Sequence, residues 1–257
     1  MSCCPAGSWP ALEAEGGPSL GKIEQVAAGL DAYVVAPEKP NGTAILSFND
    51  IFGFAAGRTK GVLDQLAMSG YYVVHPDVFK GGEPFSSQSD MSELPKWVQG
   101  YPFDTHVLAI AEQALDYIKK NSTCSKIAVL GICWGAYNAL RLVSMPQYVD
   151  TFVASVYLHP AFGLNAVFGG SPDALEHATK TKIPQLLVPA GNDPESTKPG
   201  GVLTSAMISA NAKSKSIPFE DMSHGWTVRG DVSDKAVEQG VKGAVEAVLS
   251  FLEAVAA

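Results

Sequence analysis

Residues 131–135 read Gly-Ile-Cys-Trp-Gly and follow an apolar stretch at 126–130 that is typical of a buried parallel strand. Apolar side chains at 137–144 then recur with helical spacing. Glycines two positions before and after a sharp strand-to-helix corner relieve crowding there. The pattern therefore predicts a nucleophile elbow in which Cys133 supplies a thiol, with the helix N-terminus favouring a thiolate. Since free cysteines are often simply buried, this prediction depends on finding an acid and a histidine downstream.

Both residues follow, each at the end of a predicted strand. Asp193 comes after the apolar segment 183–190, and His224 lies in a loop after a predicted last strand at 216–220. The order Cys133, Asp193, His224 is nucleophile, acid and base, as α/β-hydrolase chains arrange them. His224 would take the thiol proton, and Asp193 would hold the imidazole in one tautomer. Taken singly, the acid could be a helix cap and the histidine an ordinary loop residue.

The elements around these residues alternate between strand and helix patterns. After one or two antiparallel strands within 22–37, alternation predicts a mostly parallel central sheet with helices on both faces. We expect a single α/β domain over 1–257, in which 1–21 form an extension that is expected to be mobile. Strands are predicted at 44–48, 71–76, 126–130, 153–158, 185–188 and 216–220, and helices at 59–69, 106–120, 137–144 and 234–254.

Four motifs together resemble the dienelactone hydrolase (carboxymethylenebutenolidase) family, and the resemblance covers all but the first twenty or so residues. The motifs are Asn-Asp-Ile-Phe-Gly at 49–53, Tyr-Tyr-Val-Val-His-Pro-Asp-Val-Phe at 71–79, Gly-Ile-Cys-Trp-Gly-Ala at 131–136, and Asn192-Asp193 with Ser-His-Gly at 223–225. The resemblance implies an α/β-hydrolase fold with a Cys-His-Asp triad that acts on lactones or activated carboxylic esters.

The turn after the strand at 44–48 and the residue after Cys133 add three expectations. Backbone amides of Trp134 and Ile51 are predicted to form the oxyanion hole, because one follows the nucleophile and the other lies in the turn after that strand. The family resemblance implies that Asp50, where many members carry glutamate, interacts with the resting thiol of Cys133. The alternative is an aspartate that only caps the turn.

Substrate-binding residues are harder to predict. The resemblance suggests that Lys80 and Arg229 hold a substrate carboxylate, although neither aligns cleanly with the arginines of the bacterial members. His159, at the end of the strand 153–158, and Trp226, beside His224, are candidate pocket residues. The alternatives are solvated surface charges for the two cations and ordinary packing for the aromatic residues.

The composition of the chain limits the kinds of molecule that we expect it to bind. A formal charge of -8 disfavours nucleic acid and anionic membrane surfaces, so we expect a small-molecule ester or lactone as partner, no cofactor, no metal, and a monomer or weak homodimer. Four cysteines without a disulfide pattern, and a start without a secretory pattern, favour the cytoplasm. A ligand-binding protein that keeps the fold without turnover is the main alternative function; a cysteine peptidase or thiol redox protein is a weaker one.

Overall fold

The computed structural model describes residues 5–13, 19–86, 89–164 and 173–256. One sheet of eight strands runs in the order β1-β2-β4-β3-β5-β6-β7-β8. The strands are β1 Lys22–Ala27, β2 Leu30–Val35, β3 Thr43–Phe48, β4 Tyr72–Pro76, β5 Lys126–Ile132, β6 Phe152–Leu158, β7 Gln185–Val188 and β8 Lys215–Ser216. The helices are α1 Thr59–Met68, α2 Leu94–Val98, α3 Leu108–Asn121, α4 Trp134–Val143, α5 Ala174–Lys180, α6 Val202–Ala210, α7 Trp226–Arg229 and α8 Lys235–Ala256.

The predicted mostly parallel sheet is confirmed. β1 pairs antiparallel with β2, and β2 antiparallel with β4, whereas every pair from β4 to β8 is parallel. β3 and β5 are buried along nearly their whole length because helices cover both faces. The chain goes from β3 outward to β4 and then back past β3 to β5. Such a reversal leaves a crevice at the carboxyl ends of the two strands, where ligands bind in open α/β sheets.

The predicted last strand, 216–220, is wrong in extent. β8 contains only Lys215 and Ser216, because Pro218 has no N–H to donate to a ladder. The chain nevertheless continues beside β7, since the Ile217 and Phe219 N–H groups donate to the carbonyls of Leu187 and Pro189 at 2.9 Å. This continuation carries the chain to the loop that holds His224.

Two other differences concern helices. The helix predicted from His106 begins at Leu108 and is preceded by a π-helical turn over Phe103–Val107. Four helices, α2, α5, α6 and α7, were not predicted. Of these, α6 is apolar almost all round, so it lacks the one-sided spacing that marks a surface helix. Within the described ranges, no helix is both long and apolar enough to cross a bilayer.

Candidate active site

The elbow at Cys133 has the strained backbone that its glycines predict. Cys133 lies at φ 54° and ψ −113°, directly before α4, and its side chain is fully buried. A Cβ on Gly131 would lie 2.4 Å from the Ala136 Cα, and a Cβ on Gly135 would lie 2.4 Å from the Phe48 carbonyl oxygen. Since real Cβ atoms do not approach other atoms so closely, both positions require glycine for the corner to form.

The three residues predicted as nucleophile, base and acid lie in one line of hydrogen bonds. The His224 Nε2 is 3.2 Å from the Cys133 Sγ, and the His224 Nδ1 is 2.6 Å from the Asp193 Oδ1. The other Asp193 oxygen accepts the Ala190 N–H at 2.7 Å. Asn192 also holds the loop that carries the histidine, because its Oδ1 accepts the His224 backbone N–H at 2.7 Å. The histidine side chain and the acid side chain are both inaccessible to solvent.

Opposing influences act on the pKa of His224. Burial by itself lowers this pKa, because it disfavours the charged imidazolium. The negative charge of the Cys133 sulfur and of the Asp193 carboxylate, with the hydrogen bonds to both, raises the pKa well above its ordinary value. The arrangement therefore favours a protonated His224 held between two anions.

Asp50 and Arg229, predicted to act on the thiol and on a substrate anion respectively, form a buried ion pair. The Arg229 Nη1 donates to the Asp50 Oδ2, and the Arg229 Nε donates to the Trp9 carbonyl at 3.2 Å. The Arg229 guanidinium carbon also lies 4.8 Å from the centre of the Phe52 ring. The other Asp50 oxygen accepts the Phe52 N–H at 2.9 Å. Recognition of a substrate anion by Arg229 and the interaction of Asp50 with the thiol stay predictions.

The two candidate oxyanion donors belong to turns that touch each other. Ile51 is fully buried in the turn after β3, and Trp134 is the first residue of α4. The close approach of Gly135 to the Phe48 and Asn49 carbonyls presses the start of α4 against the turn after β3. Both amides thus lie at the crevice between β3 and β5, and their role as donors stays a prediction.

His159 and Trp226 lie beside His224 in the interior. The His159 ring centre is 4.9 Å from that of His224 and 5.5 Å from that of Trp226. The His159 Nε2 is 2.7 Å from the Thr227 Oγ1, and its backbone has a φ of 35°. All of these side chains are buried. His159 therefore packs on His224 and Trp226 packs on His159, and the contact of either residue with substrate stays a prediction.

A metal ion is chemically conceivable at this point. The Cys133 Sγ and one ring nitrogen each of His159 and His224 lie within 4.8 Å of one another. Thiolate and imidazole are ligands that Zn²⁺ prefers. The hydrogen bonds from His224 to Cys133 and Asp193 already engage both of its ring nitrogens, so the same atoms are also explained as an acid–base relay.

Lys80 lies in a different setting. It is an exposed residue at φ 52° in the loop after β4, where Asp77 accepts the N–H groups of Phe79 and Gly81 at 3.0 and 2.7 Å. The Trp134 indole stacks on the Phe79 ring at 5.6 Å between centres. The cluster around that indole consists of Phe79, Trp97 and Tyr101.

Two contributors were missed by reasoning from the sequence. Asn192 was noted only as part of a motif, although an amide beside the acid could have suggested a hydrogen-bonding role. The segment 5–13 meets the site through Trp9, whose N–H donates to the His224 carbonyl at 2.9 Å. No sequence signal predicts that contact, because it is made by backbone atoms that every residue carries.

The sheet and the elbow define the class of this protein. An eight-stranded, mostly parallel sheet with a cysteine on a tight turn after β5, and with an aspartate and a histidine in loops after later strands, has the α/β-hydrolase fold. The family model of the dienelactone hydrolase family matches residues 30–256. The chain belongs to the dienelactone hydrolase family and is by membership an ester or lactone hydrolase.

Individual relatives agree with this membership. A carboxymethylenebutenolidase homolog of Homo sapiens is 31% identical over 193 residues, which cover 74% of this chain and 70% of the relative. The hydrolase pyvD of Aspergillus violaceofuscus is 30% identical over 204 residues, covering 73% of this chain and 78% of the relative. Among solved structures, dienelactone hydrolase from Anabaena variabilis has a TM-score of 0.59 at 17% identity, covering 93% of this chain and 99% of that chain. The Thermogutta terrifontis esterase Est2 has a TM-score of 0.63 at 14% identity, covering 90% and 94% respectively. Likeness at such identities concerns the fold alone.

Proposed function

We propose that this hydrolase cleaves its ester or lactone through a thioester formed on Cys133, with His224 as acid and base and Asp193 as its orienting partner. One observation carries the proposal: the continuous hydrogen-bonded line from Asp193 through His224 to the Cys133 sulfur, buried at the end of β5. Carboxylate, imidazole and thiol in this geometry are suited to nucleophilic acyl transfer.

In the first half of the reaction the Cys133 thiolate, whose proton His224 already holds at Nε2, attacks the carbonyl carbon. A C–S bond forms, and the carbonyl electron pair becomes an oxyanion beside the amides of Trp134 and Ile51. When the oxyanion collapses, the C–O bond to the alcohol breaks and the His224 imidazolium supplies the proton that the departing alkoxide needs. A thioester remains on Cys133.

In the second half water attacks the thioester while His224 takes one of its protons. The C–S bond breaks, the carboxylic acid leaves, and the Cys133 thiolate stays paired with the His224 imidazolium that holds the proton taken from water. With a lactone the alcohol stays attached to the acyl group, so ring opening yields a single hydroxy acid. Asp193 fixes the Nδ1 proton throughout, so that Nε2 always faces the sulfur.

The test compares full-length protein with Cys133→Ala and Cys133→Ser on p-nitrophenyl acetate and on a dienelactone. We expect at least a thousandfold loss of kcat/KM for both variants with the fold retained, because alanine has no nucleophile and a serine hydroxyl is far harder to ionise. Cys124→Ser is the matched control, since Cys124 is a free cysteine outside the site, and its activity should be unchanged.

Activity that persists in Cys133→Ala contradicts the thioester mechanism. Absence of turnover in the full-length protein, with the ligand still bound, favours instead a binding protein on the same fold.

A further inference from the structure

The segment Pro5–Glu13 lies outside residues 30–256, the region that the family model matches, yet it lies against the active site. We call residues 5–13 the N-terminal strap. Its contacts are made to loops that carry site residues. The Trp9 N–H donates to the His224 carbonyl at 2.9 Å, and the Trp9 carbonyl accepts the Arg229 Nε–H at 3.2 Å.

Two further hydrogen bonds fasten the ends of the strap. The Ala6 carbonyl accepts the Asn192 side-chain amide at 3.0 Å, and the Leu12 carbonyl accepts the Gly57 N–H at 3.0 Å. Asn192 is the residue that also holds the His224 backbone. The strap is therefore fixed to the loops after β3, β7 and β8, rather than resting on one surface patch.

Between the strap and the body of the protein lies a cavity of about 350 Å³. On the strap side it is lined by Trp9 and Pro10, and on the other side by Phe52, Phe85 and Met91. Most of these side chains are apolar, and serines also belong to the lining. A pocket of this composition and volume suits an apolar group of a small ligand.

The cavity adjoins the proposed chemistry through Phe52. This residue follows Ile51, the candidate oxyanion donor, and its N–H donates to Asp50. Its ring faces the Arg229 guanidinium, which in turn holds the Trp9 carbonyl. A substrate whose carbonyl oxygen lies at the Ile51 amide is therefore held one residue along the chain from a residue that lines the cavity.

We propose that the strap, through Trp9, forms one wall of a subsite for an apolar acyl or alcohol group, so that residues outside the family's shared region select the substrate. The proposal rests on the proposed function, since it concerns the substrate of the same site. It identifies the ligand class as esters or lactones with an apolar chain or ring.

The experiment measures the ratio of kcat/KM for p-nitrophenyl hexanoate to that for p-nitrophenyl acetate. The chains are the full-length protein, a variant lacking residues 1–12, and Trp9→Ala. We expect both changes to lower the ratio roughly tenfold, mainly through the KM of the hexanoate, because the longer chain loses its apolar wall. Leu20→Ala is the matched control, since Leu20 is a 63% exposed apolar residue that does not line the cavity. Thermal unfolding verifies that each variant is folded. If the deletion variant is not folded, the Trp9→Ala variant alone tests the proposal.

A second readout does not require hydrolysis. Alkyl methanethiosulfonates form a disulfide with a thiolate and release methanesulfinate, so labelling of Cys133 by methyl and hexyl reagents can be followed by mass spectrometry of its peptide. The hexyl-to-methyl rate ratio should fall in both strap variants. If this ratio falls while no ester is cleaved, the subsite stands and the hydrolase mechanism fails. If the longer-to-shorter rate ratio is the same for all chains in both assays, the subsite proposal is overturned. This includes the case in which both rates fall equally and the case in which neither rate exceeds the background.

Discussion

Two buried carboxylates, Asp193 and Asp50, lie at the same edge of the sheet. Each pairs with a side chain from the same short segment, residues 224–229, but the two partners differ in their chemistry. Asp193 is hydrogen-bonded to His224, and Asp50 is ion-paired with Arg229, five residues further on. All four side chains are essentially inaccessible to solvent. A guanidinium stays charged at every pH at which proteins fold, whereas an imidazole changes charge near neutrality.

Burial and ion pairing are common to both pairs, so they do not distinguish the role of one from that of the other. Under the proposed mechanism the Asp193 pair passes a proton because His224 contacts the Cys133 sulfur, while the Asp50 pair has a guanidinium that keeps its proton and lies beside the turn that contains Ile51. We interpret the first pair as the proton relay and the second as the support of the turn. The following predictions test that division, beginning with the largest effect.

Replacing Asp193 by asparagine should break the relay with little change in shape. The amide nitrogen of asparagine donates to the His224 Nδ1, so the imidazole must carry its own proton on Nε2. The protonated Nε2 can no longer accept the thiol proton. We expect kcat to fall roughly 10³- to 10⁴-fold. The measurement is steady-state hydrolysis of p-nitrophenyl acetate. Asp221→Asn, an exposed acid near the same loop, should retain full activity, and similar rates for both variants would falsify the relay.

Removing Arg229 should act first on stability. Arg229→Ala leaves the Asp50 carboxylate buried without its cation, so we expect a loss of about 3–5 kcal/mol in the free energy of unfolding. Urea denaturation followed by circular dichroism measures it. The double variant Asp50→Asn/Arg229→Gln should recover part of the lost stability, because neither of its two side chains is charged and no unpaired charge is buried. A single variant as stable as the full-length protein would mean that this pair does not support the turn.

His75 extends the comparison to a buried histidine in a different electrostatic setting. It is fully buried on β4; burial lowers its pKa to about 4, and the charge of Lys60 acts in the same direction. The unfolded chain takes up this proton near pH 6.5 and the folded chain only near pH 4, so the unfolded state binds more protons between these values. Stability is therefore lost as the pH falls through this window, by roughly 3 kcal/mol from His75.

A His75→Gln variant should show a shallower loss of stability between pH 6.5 and 4, measured by urea denaturation at a series of pH values. Its kcat at neutral pH should change little, because His75 is outside the relay. Parallel stability curves for the two proteins would show that His75 is not held neutral by burial.

The smallest expected effect concerns the substrate anion. If Arg229 also binds a substrate carboxylate, Arg229→Lys should reduce kcat/KM for an anionic ester about tenfold more than for a neutral ester of the same size, because lysine keeps the charge but loses the bidentate geometry. Equal losses of kcat/KM on both esters would show that Arg229 pairs with Asp50 and does not bind a substrate carboxylate. Measurements at a temperature where the variant is folded separate this effect from stability.

The sequence predicted the parallel sheet, the elbow and the identities of the hydrogen-bonded trio, because strand ends and glycines leave local patterns. It did not predict that Arg229 pairs with Asp50, since the two residues are 179 positions apart and no local pattern links them. The π-helical turn before α3 and the early end of β8 are likewise set by tertiary packing and by one proline. The strap contacts run through backbone atoms and are independent of side-chain type.

The close packing around Gly131 and Gly135 separates the shape of the corner from its chemistry. Any side chain at either glycine meets backbone atoms, whereas residue 133 only has to tolerate a positive φ. A related chain could therefore exchange its nucleophile, or lose it, and keep the corner unchanged. Among such relatives, the paired glycines report that the corner is present, and the residue between them reports which chemistry, if any, it carries.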